Sequence, residues 1–200
     1  MPRALISVYD KSGLEILLPC LSRFRYEIIA SGGTAQRIQE LGYRCTEISA
    51  FTGYPESPRG LVKTLHPKVH GGFLLDPSNP DDRQYMLVQG IAPIDLLVAN
   101  LYPFETVVQE KTVTLKLAAE NIDIGGPAMI RAAAKSALQT NRVSVLTNPK
   151  QYEDFTKEME QNRGEISRKT KRKLAEEAFA LTYRYDLAIQ NYLSKTGDAQ

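Results

Sequence analysis

The feature that most restricts this chain is an alternation. Over the first 150 residues, short apolar runs take turns with segments of helical period. Residues 4–8 read as a strand, and a helix follows from Ser12, where Ser12 and Glu15 have the spacing of an S-x-x-E capping box. Residues 26–30 are the second strand. Ser31-Gly32-Gly33-Thr34 then opens a helix that ends at Leu41-Gly42, with Gly42 placed to cap it. Residues 44–48 read as a third strand, 96–100 as the most apolar and therefore a central one, and 143–146 as another. Residues 128–138 read as a helix with Pro127 at its first position. Strands separated by helices mean βαβ units, hence an α/β fold with a mostly parallel sheet flanked by helices. Residues 49–93 are rich in Pro and Gly and read as irregular, a length that in a compact domain is usually functional. Residues 150–161 and 166–193 read as charged helices, the second with Leu174, Ala178, Leu181, Tyr185 and Ala188 as a buried stripe. The expected division is a core over 1–150, with C-terminal helices over 151–200 packed on the same domain.

Charge and composition narrow the function. The 25 basic and 23 acidic residues leave a net charge of +2, too even to draw nucleic acid by bulk electrostatics. The basic stretch 168–173 is balanced by Glu176 and Glu177 and reads as a solvated helix face. No apolar run approaches the roughly 18 residues of a membrane span. The first residues begin a strand and lack the apolar region of a signal peptide. Cys20 and Cys45 therefore read as reduced, small, buried residues of a cytoplasmic protein.

In a parallel sheet, ligands sit outside the carboxyl ends of the strands. The loops to watch are thus 7–12, 31–34 and 99–104. Glycines at 32 and 33 let the backbone come close to a ligand, and a helix N-terminus offers free N–H groups and a positive dipole end. Ser31 and Thr34 can add hydroxyl donors, which suits a phosphate; the same residues also fit a tight turn with Thr34 as N-cap. Lys11, on the same sheet edge, can add a compact positive charge. His66 and His70 are four apart, but Pro67 stands between them and no third ligand is evident, so no metal site is expected. Lys63 beside Thr64 suits an anion. Asp123 stands just before a helix start at Gly125-Gly126, a favourable charge–dipole arrangement. Arg131 and Lys135 share a face of an otherwise small-residue helix. Asn100 and Tyr102 close the central strand where a ligand would lie.

Six segments in this order and spacing resemble one known family. They are Ser7-Val8-Tyr9-Asp10-Lys11-Ser12-Gly13, Ala30-Ser31-Gly32-Gly33-Thr34, Val62-Lys63-Thr64-Leu65-His66-Pro67, Asn100-Leu101-Tyr102-Pro103-Phe104, Asp123-Ile124-Gly125-Gly126 and Arg131-Ala132-Ala133-Ala134-Lys135. The family is the inosine monophosphate (IMP) cyclohydrolase domain, the N-terminal half of a bifunctional purine-biosynthesis protein that also carries a formyltransferase. The resemblance implies a methylglyoxal-synthase-like (MGS-like) fold. It implies closure of 5-formamidoimidazole-4-carboxamide ribonucleotide (FAICAR) to IMP and water, without metal or organic cofactor. It implies a homodimer, and a separate AICAR formyltransferase as pathway partner if the chain stands alone. Its catalytic pattern falls on Lys63, Tyr102, Asp123 and Lys135, with Asp123 and Lys135 as a coupled acid–base pair. Its nucleotide-binding pattern falls on Tyr9, Asp10, Lys11, Ser31, Gly32, Gly33, Thr34, Leu61, Val62, Thr64, Ala99, Asn100 and Ile124, to which the amides near Gly125 and Gly126 are added as holders of the base and carbonyl edges. One position departs: Leu61 stands where the family commonly has arginine, and Arg59 is the nearest guanidinium to replace it. The alternative is a non-catalytic MGS-like domain that binds a purine nucleotide as a sensor.

Overall fold

Five strands pair in one wholly parallel sheet, as the alternation predicts. A computed structural model describes residues 1–109 and 113–196, the side chain of Arg59 excepted. The strands are β1 Arg3–Ser7, β2 Glu27–Ala30, β3 Thr46–Glu47, β4 Leu96–Ala99 and β5 Ser144–Leu146, in the order β3-β2-β1-β4-β5. The helices are α1 Leu14–Arg23, α2 Gly32–Glu40, α3 Ile48–Thr52, α4 Pro67–Leu74, α5 Pro80–Gln89, α6 Phe104–Val108, α7 Leu115–Glu120, α8 Gly125–Gln139, α9 Tyr152–Gln161 and α10 Arg168–Lys195. Every residue of β4 is buried. That is why its sequence is unbroken Leu-Leu-Val-Ala: helices cover both faces, so no position alternates to water. The main core joins β1, β2, β4 and β5 to α1 and α8. α10 packs along α8 and β5, and α9 packs on α1. Phe104, Ala118 and Tyr185 form a smaller core beside it, with Ala188 packed at its edge.

Several local expectations change. α1 begins after Gly13, which sits in the left-handed region at φ +74°, so no Ser12–Glu15 capping box forms. The Ser12 N–H donates instead to the Asp10 carboxylate at 2.9 Å. β3 is only two residues long. It is an edge strand paired solely at Ile29–Ala30, and Ile48 already starts α3. The irregular stretch at 49–93 is largely helical: Pro67 and Pro80 stand at the first positions of α4 and α5, where a missing N–H costs nothing. α8 starts at Gly125, which makes Pro127 its third residue rather than its first. Gly42 does end α2 as expected, at φ +84°, with the N–H groups of Gly42 and Tyr43 donating to the carbonyls of Gln39 and Ile38.

At the amino edge of the sheet, Arg142 gathers the chain. Its guanidinium donates to the carbonyls of Gly72, Phe73 and Ile94, each at 2.8 Å, and of Leu75 at 3.2 Å, and it pairs with Asp95 at 3.3 Å. At the carboxyl edge, the chain leaves β1 toward β2 and leaves β4 toward β5. The loops after β1 and β4 therefore diverge and open a crevice between them, the usual ligand position in such sheets.

Candidate active site

The side chain of Asn100 ties the two diverging loops together. Its Oδ1 accepts the N–H groups of Tyr9 at 2.7 Å and Asp10 at 3.0 Å, and its Nδ2 donates to the Asp10 carbonyl at 2.9 Å. Asn100 thus lines the crevice while its side-chain amide braces the loop. The Ser12 N–H on Asp10 holds that carboxyl below the usual carboxylate range. It acts as a loop brace and does not line the crevice.

The crevice is a cleft of about 410 Å³, within the range for a small-molecule site. One wall is the start of α2. Ser31 is its N-cap residue but makes no capping bond with its side chain; its hydroxyl lies 3.3 Å from that of Ser7. Thr34 is not the N-cap. Its buried hydroxyl accepts the Val8 N–H and donates to the Val8 carbonyl, both at 3.1 Å, which pins α2 to the end of β1 and removes it as a ligand donor. The two glycines leave room for ammonium groups. A Cβ on Gly32 would stand 3.4 Å from Lys63 Nζ, and one on Gly33 would stand 3.9 Å from Lys11 Nζ. Lys11 donates to the Tyr9 carbonyl, and Lys63 pairs with Glu56, both at 3.2 Å. Two cations flanking a helix N-terminus make an anion seat.

The facing wall is the start of α8. The Asp123 Oδ1 accepts the Gly126 N–H at 2.9 Å, and the Asp123 N–H donates to the phenol oxygen of Tyr185 at 2.7 Å. Both glycines are needed for close approach. A Cβ on Gly125 would run into the Thr64 hydroxyl, and one on Gly126 into the Asp123 carboxylate and Leu101. At the mouth the rings of Tyr9 and Tyr102 meet edge to face, 4.4 Å apart. Leu61 lines the cleft with an apolar, 61% exposed side chain. Arg59, the candidate to replace it, lies outside the described side chains.

The fold therefore brings together Tyr9, Lys11, Ser31, Gly33, Thr34, Leu61, Lys63, Thr64, Asn100, Tyr102, Asp123, Ile124, Gly125 and Gly126 around one cleft. Asp10, Gly32, Val62 and Ala99 adjoin these residues in sequence but do not line it. Lys135 is separate. It is exposed on α8, ten residues after Gly125, which at 1.5 Å per residue is roughly 15 Å along the helix. Among the described residues no ion pair joins it to Asp123. Arg131, on the same face, lies 5.6 Å from the ring of Phe179. Sequence reasoning missed Glu56 and the lining residues Ser7, Val8, Gly60, Ile122 and Met129. Ser7 and Val8 could have been found as the end of the first strand. Glu56 gave no signal beyond being a carboxylate in the same loop region as Lys63.

The two histidines belong to the scaffold. His66 is the N-cap of α4, where its Nδ1 accepts the Lys68 N–H at 3.1 Å, and burial lowers the pKa of both His66 and His70. Among the described residues no three His, Cys, Asp or Glu side chains converge as metal ligands, and no helix is long and apolar enough to cross a membrane.

Comparison with known proteins places this geometry. Residues 17–128 match the family described as MGS-like domain, and residues 133–200 match the AICARFT/IMPCHase bienzyme family. The bifunctional purine biosynthesis protein PurH of Rippkaea orientalis is 48% identical over 190 residues, covering 94% of this chain and 36% of that protein. PurH of Leptospira biflexa is 47% identical over 193 residues (96% and 37%), and that of Xanthomonas oryzae 49% over 197 residues (98% and 36%). The chain thus spans about a third of the length of these relatives. A solved structure described as the crystal structure of ForH superposes with a TM-score of 0.82 at 31% identity, covering 96% of this chain and 98% of that one.

Proposed function

The chain belongs to the MGS-like domain family, and on that footing we propose that it is an IMP cyclohydrolase, closing FAICAR to IMP and water. The observation that carries the reading is the pair of facing walls. An anion seat at the start of α2, with Lys11 beside it, looks across a 410 Å³ cleft at Asp123, which is itself held at the start of α8, and Lys63 lines the same cleft. The likeness to PurH proteins supports it.

Ring closure makes one C–N bond. The carboxamide nitrogen attacks the formyl carbon and gives up a proton, because its lone pair is otherwise delocalised into the amide. The formyl oxygen becomes an oxyanion and takes up two protons, matched by the one lost from the carboxamide nitrogen and the one lost from the formamido nitrogen. It leaves as water when the formamido nitrogen's electron pair forms the ring C=N bond and the C–O bond breaks. Nothing is oxidised or reduced, so no redox cofactor enters. In this cleft the seat at Gly32-Gly33 takes the phosphate. The ribose and ring then lie along the Tyr9–Tyr102 edge. Holding both reacting groups in one planar ligand supplies much of the rate. Asp123 receives the amide proton. Lys63 and Tyr102 face the formyl oxygen and stabilise its charge. A nucleotide sensor would need the seat but has no use for a carboxylate and an ammonium aimed at the ring.

The reading includes a cytoplasmic homodimer supplied with substrate by an AICAR formyltransferase. Lys135 lies too far along α8 to reach Asp123 of its own chain, so its part in proton exchange is played across the dimer, at the partner's cleft. Mixing Lys135→Ala and Asp123→Asn chains tests this. About half of the reassorted dimers are mixed and each has one complete cleft of two, so the mixture is expected to regain about a quarter of the turnover, and no regain removes Lys135 from the mechanism.

The direct test is to mix the chain with FAICAR, without metal or folate, and follow IMP. Rapid conversion is expected, and it would show that Leu61 is tolerated in place of arginine. Tight IMP binding without conversion would transfer the chain to the sensor class.

A further inference from the structure

We infer that Tyr185, on α10, is a positioning residue that sets where the Asp123 carboxylate stands in the cleft; this rests on the cyclohydrolase reading above. The segment between α7 and α8 carries Asp123 but has little of its own to hold it. Asn121 and Ile122 donate back to the carbonyls of Ala118 and Ala119, as a frayed end of α7. The next N–H, that of Asp123, leaves the segment and finds the phenol oxygen of Tyr185, 62 residues further along the chain, at 2.7 Å.

The phenol is well placed to be a fixed anchor. Tyr185 is 7% exposed and packs against Phe104 and Ala118, its ring 6.3 Å from that of Phe104. Burial raises its pKa, so it stays a neutral hydroxyl across the working range. Its ring cannot swing without opening this small core. The Asp123 residue is therefore held at two points: the backbone N–H by Tyr185, and the carboxylate by the Gly126 N–H at 2.9 Å. The second bond alone fixes one oxygen to the first turn of α8 and leaves the backbone free to rock about it. The first removes that freedom. Rates depend steeply on such placement, and a displacement of about 1 Å at a reacting group can cost about 10²-fold. Tyr185 does not itself line the cavity. Its effect passes through Asp123.

The test is Tyr185→Phe, which keeps the ring and its packing and removes only the acceptor. The expected result is a kcat lower by about tenfold with KM within about twofold, and a melting temperature within a few degrees of the unchanged chain. Amide hydrogen exchange gives a readout separate from activity: the Asp123 N–H should exchange faster in the variant while core amides of β1 and β4 do not. A kcat equal to that of the unchanged chain overturns the inference. So does a joint loss of kcat, KM and melting temperature, which would mark Tyr185 as packing alone. An unchanged chain that forms no IMP overturns the cyclohydrolase reading and this inference with it.

Discussion

Asp123→Asn is expected to lower kcat for ring closure by roughly 10²- to 10⁴-fold, the range for removing a general acid–base group. The substitution is isosteric, and the surroundings explain why it isolates charge from shape. Asparagine keeps a side-chain oxygen where Asp123 accepts the Gly126 N–H, so the first turn of α8 stays capped. The backbone N–H still reaches Tyr185. The anion seat lies on the facing wall and is untouched, so IMP affinity should stay within a few-fold. What disappears is the acceptor for the carboxamide proton. Single-turnover kinetics with FAICAR, calorimetric titration with IMP and a thermal melt check the three parts. A kcat within tenfold of the unchanged chain would move the base to Lys63, which with Tyr102 makes up the other titratable pair assigned to the reacting atoms.

Much of this site was visible in the sequence because its residues follow strands. Tyr9 and Lys11 come after β1, Ser31 and Gly33 after β2, Asn100 and Tyr102 after β4, and a parallel sheet collects all such loops at one edge. What the sequence does not carry is strand order. The crevice exists because β1 sits beside β4 with β2 on its other side, a fact of pairing across more than 90 residues. Ambiguous polar side chains were the second limit. Thr34 and Asn100 have the right chemistry for a ligand and the right chemistry for bracing a loop. Only their distances to Val8, Tyr9 and Asp10 show the brace. Prolines misled at 67 and 80, where a composition that reads as loop marks helix starts. Tyr185 was legible as a member of an apolar stripe, and its ring obeys that pattern. Its hydroxyl works at the other end of the side chain, where periodicity says nothing. Lys135 is the opposite case: spacing places it with Arg131 on one helix face, but only the length of α8 shows that it stands away from its own chain's cleft.

Arg142→Ala is expected to destabilise the chain by about 3–5 kcal/mol, the loss typical of removing one partner from a buried charged cluster. Its side chain is only 16% exposed and serves four carbonyls, of which that of Gly72 also accepts the Ile94 N–H at 2.9 Å. Those of Gly72 and Phe73 belong to the last turn of α4, where helical geometry leaves carbonyls without intrahelical partners. Those of Leu75 and Ile94 lie in the segments entering and leaving α5. One planar group thus ends α4, anchors the entrance to β4 and neutralises Asp95. Alanine leaves the Gly72 carbonyl with the Ile94 N–H alone and takes the guanidinium from the other three, at about 1–3 kcal/mol for each acceptor left unpaired before water recovers a share. For a domain of this size about 2–4 °C is lost per kcal/mol, so the melting temperature should fall by roughly 10 °C. Arg142→Lys should recover only part of it, because an ammonium is a single point that cannot span carbonyls on three segments. The cluster lies at the amino edge of the sheet, the end opposite the cleft, so kcat per folded molecule well below the transition should stay within about twofold. A fall in melting temperature under about 2 °C would mean that water replaces the guanidinium at these carbonyls. A large fall in kcat at full folding would mean that α4 transmits its C-terminal anchoring to the Lys63-Thr64 turn at its other end.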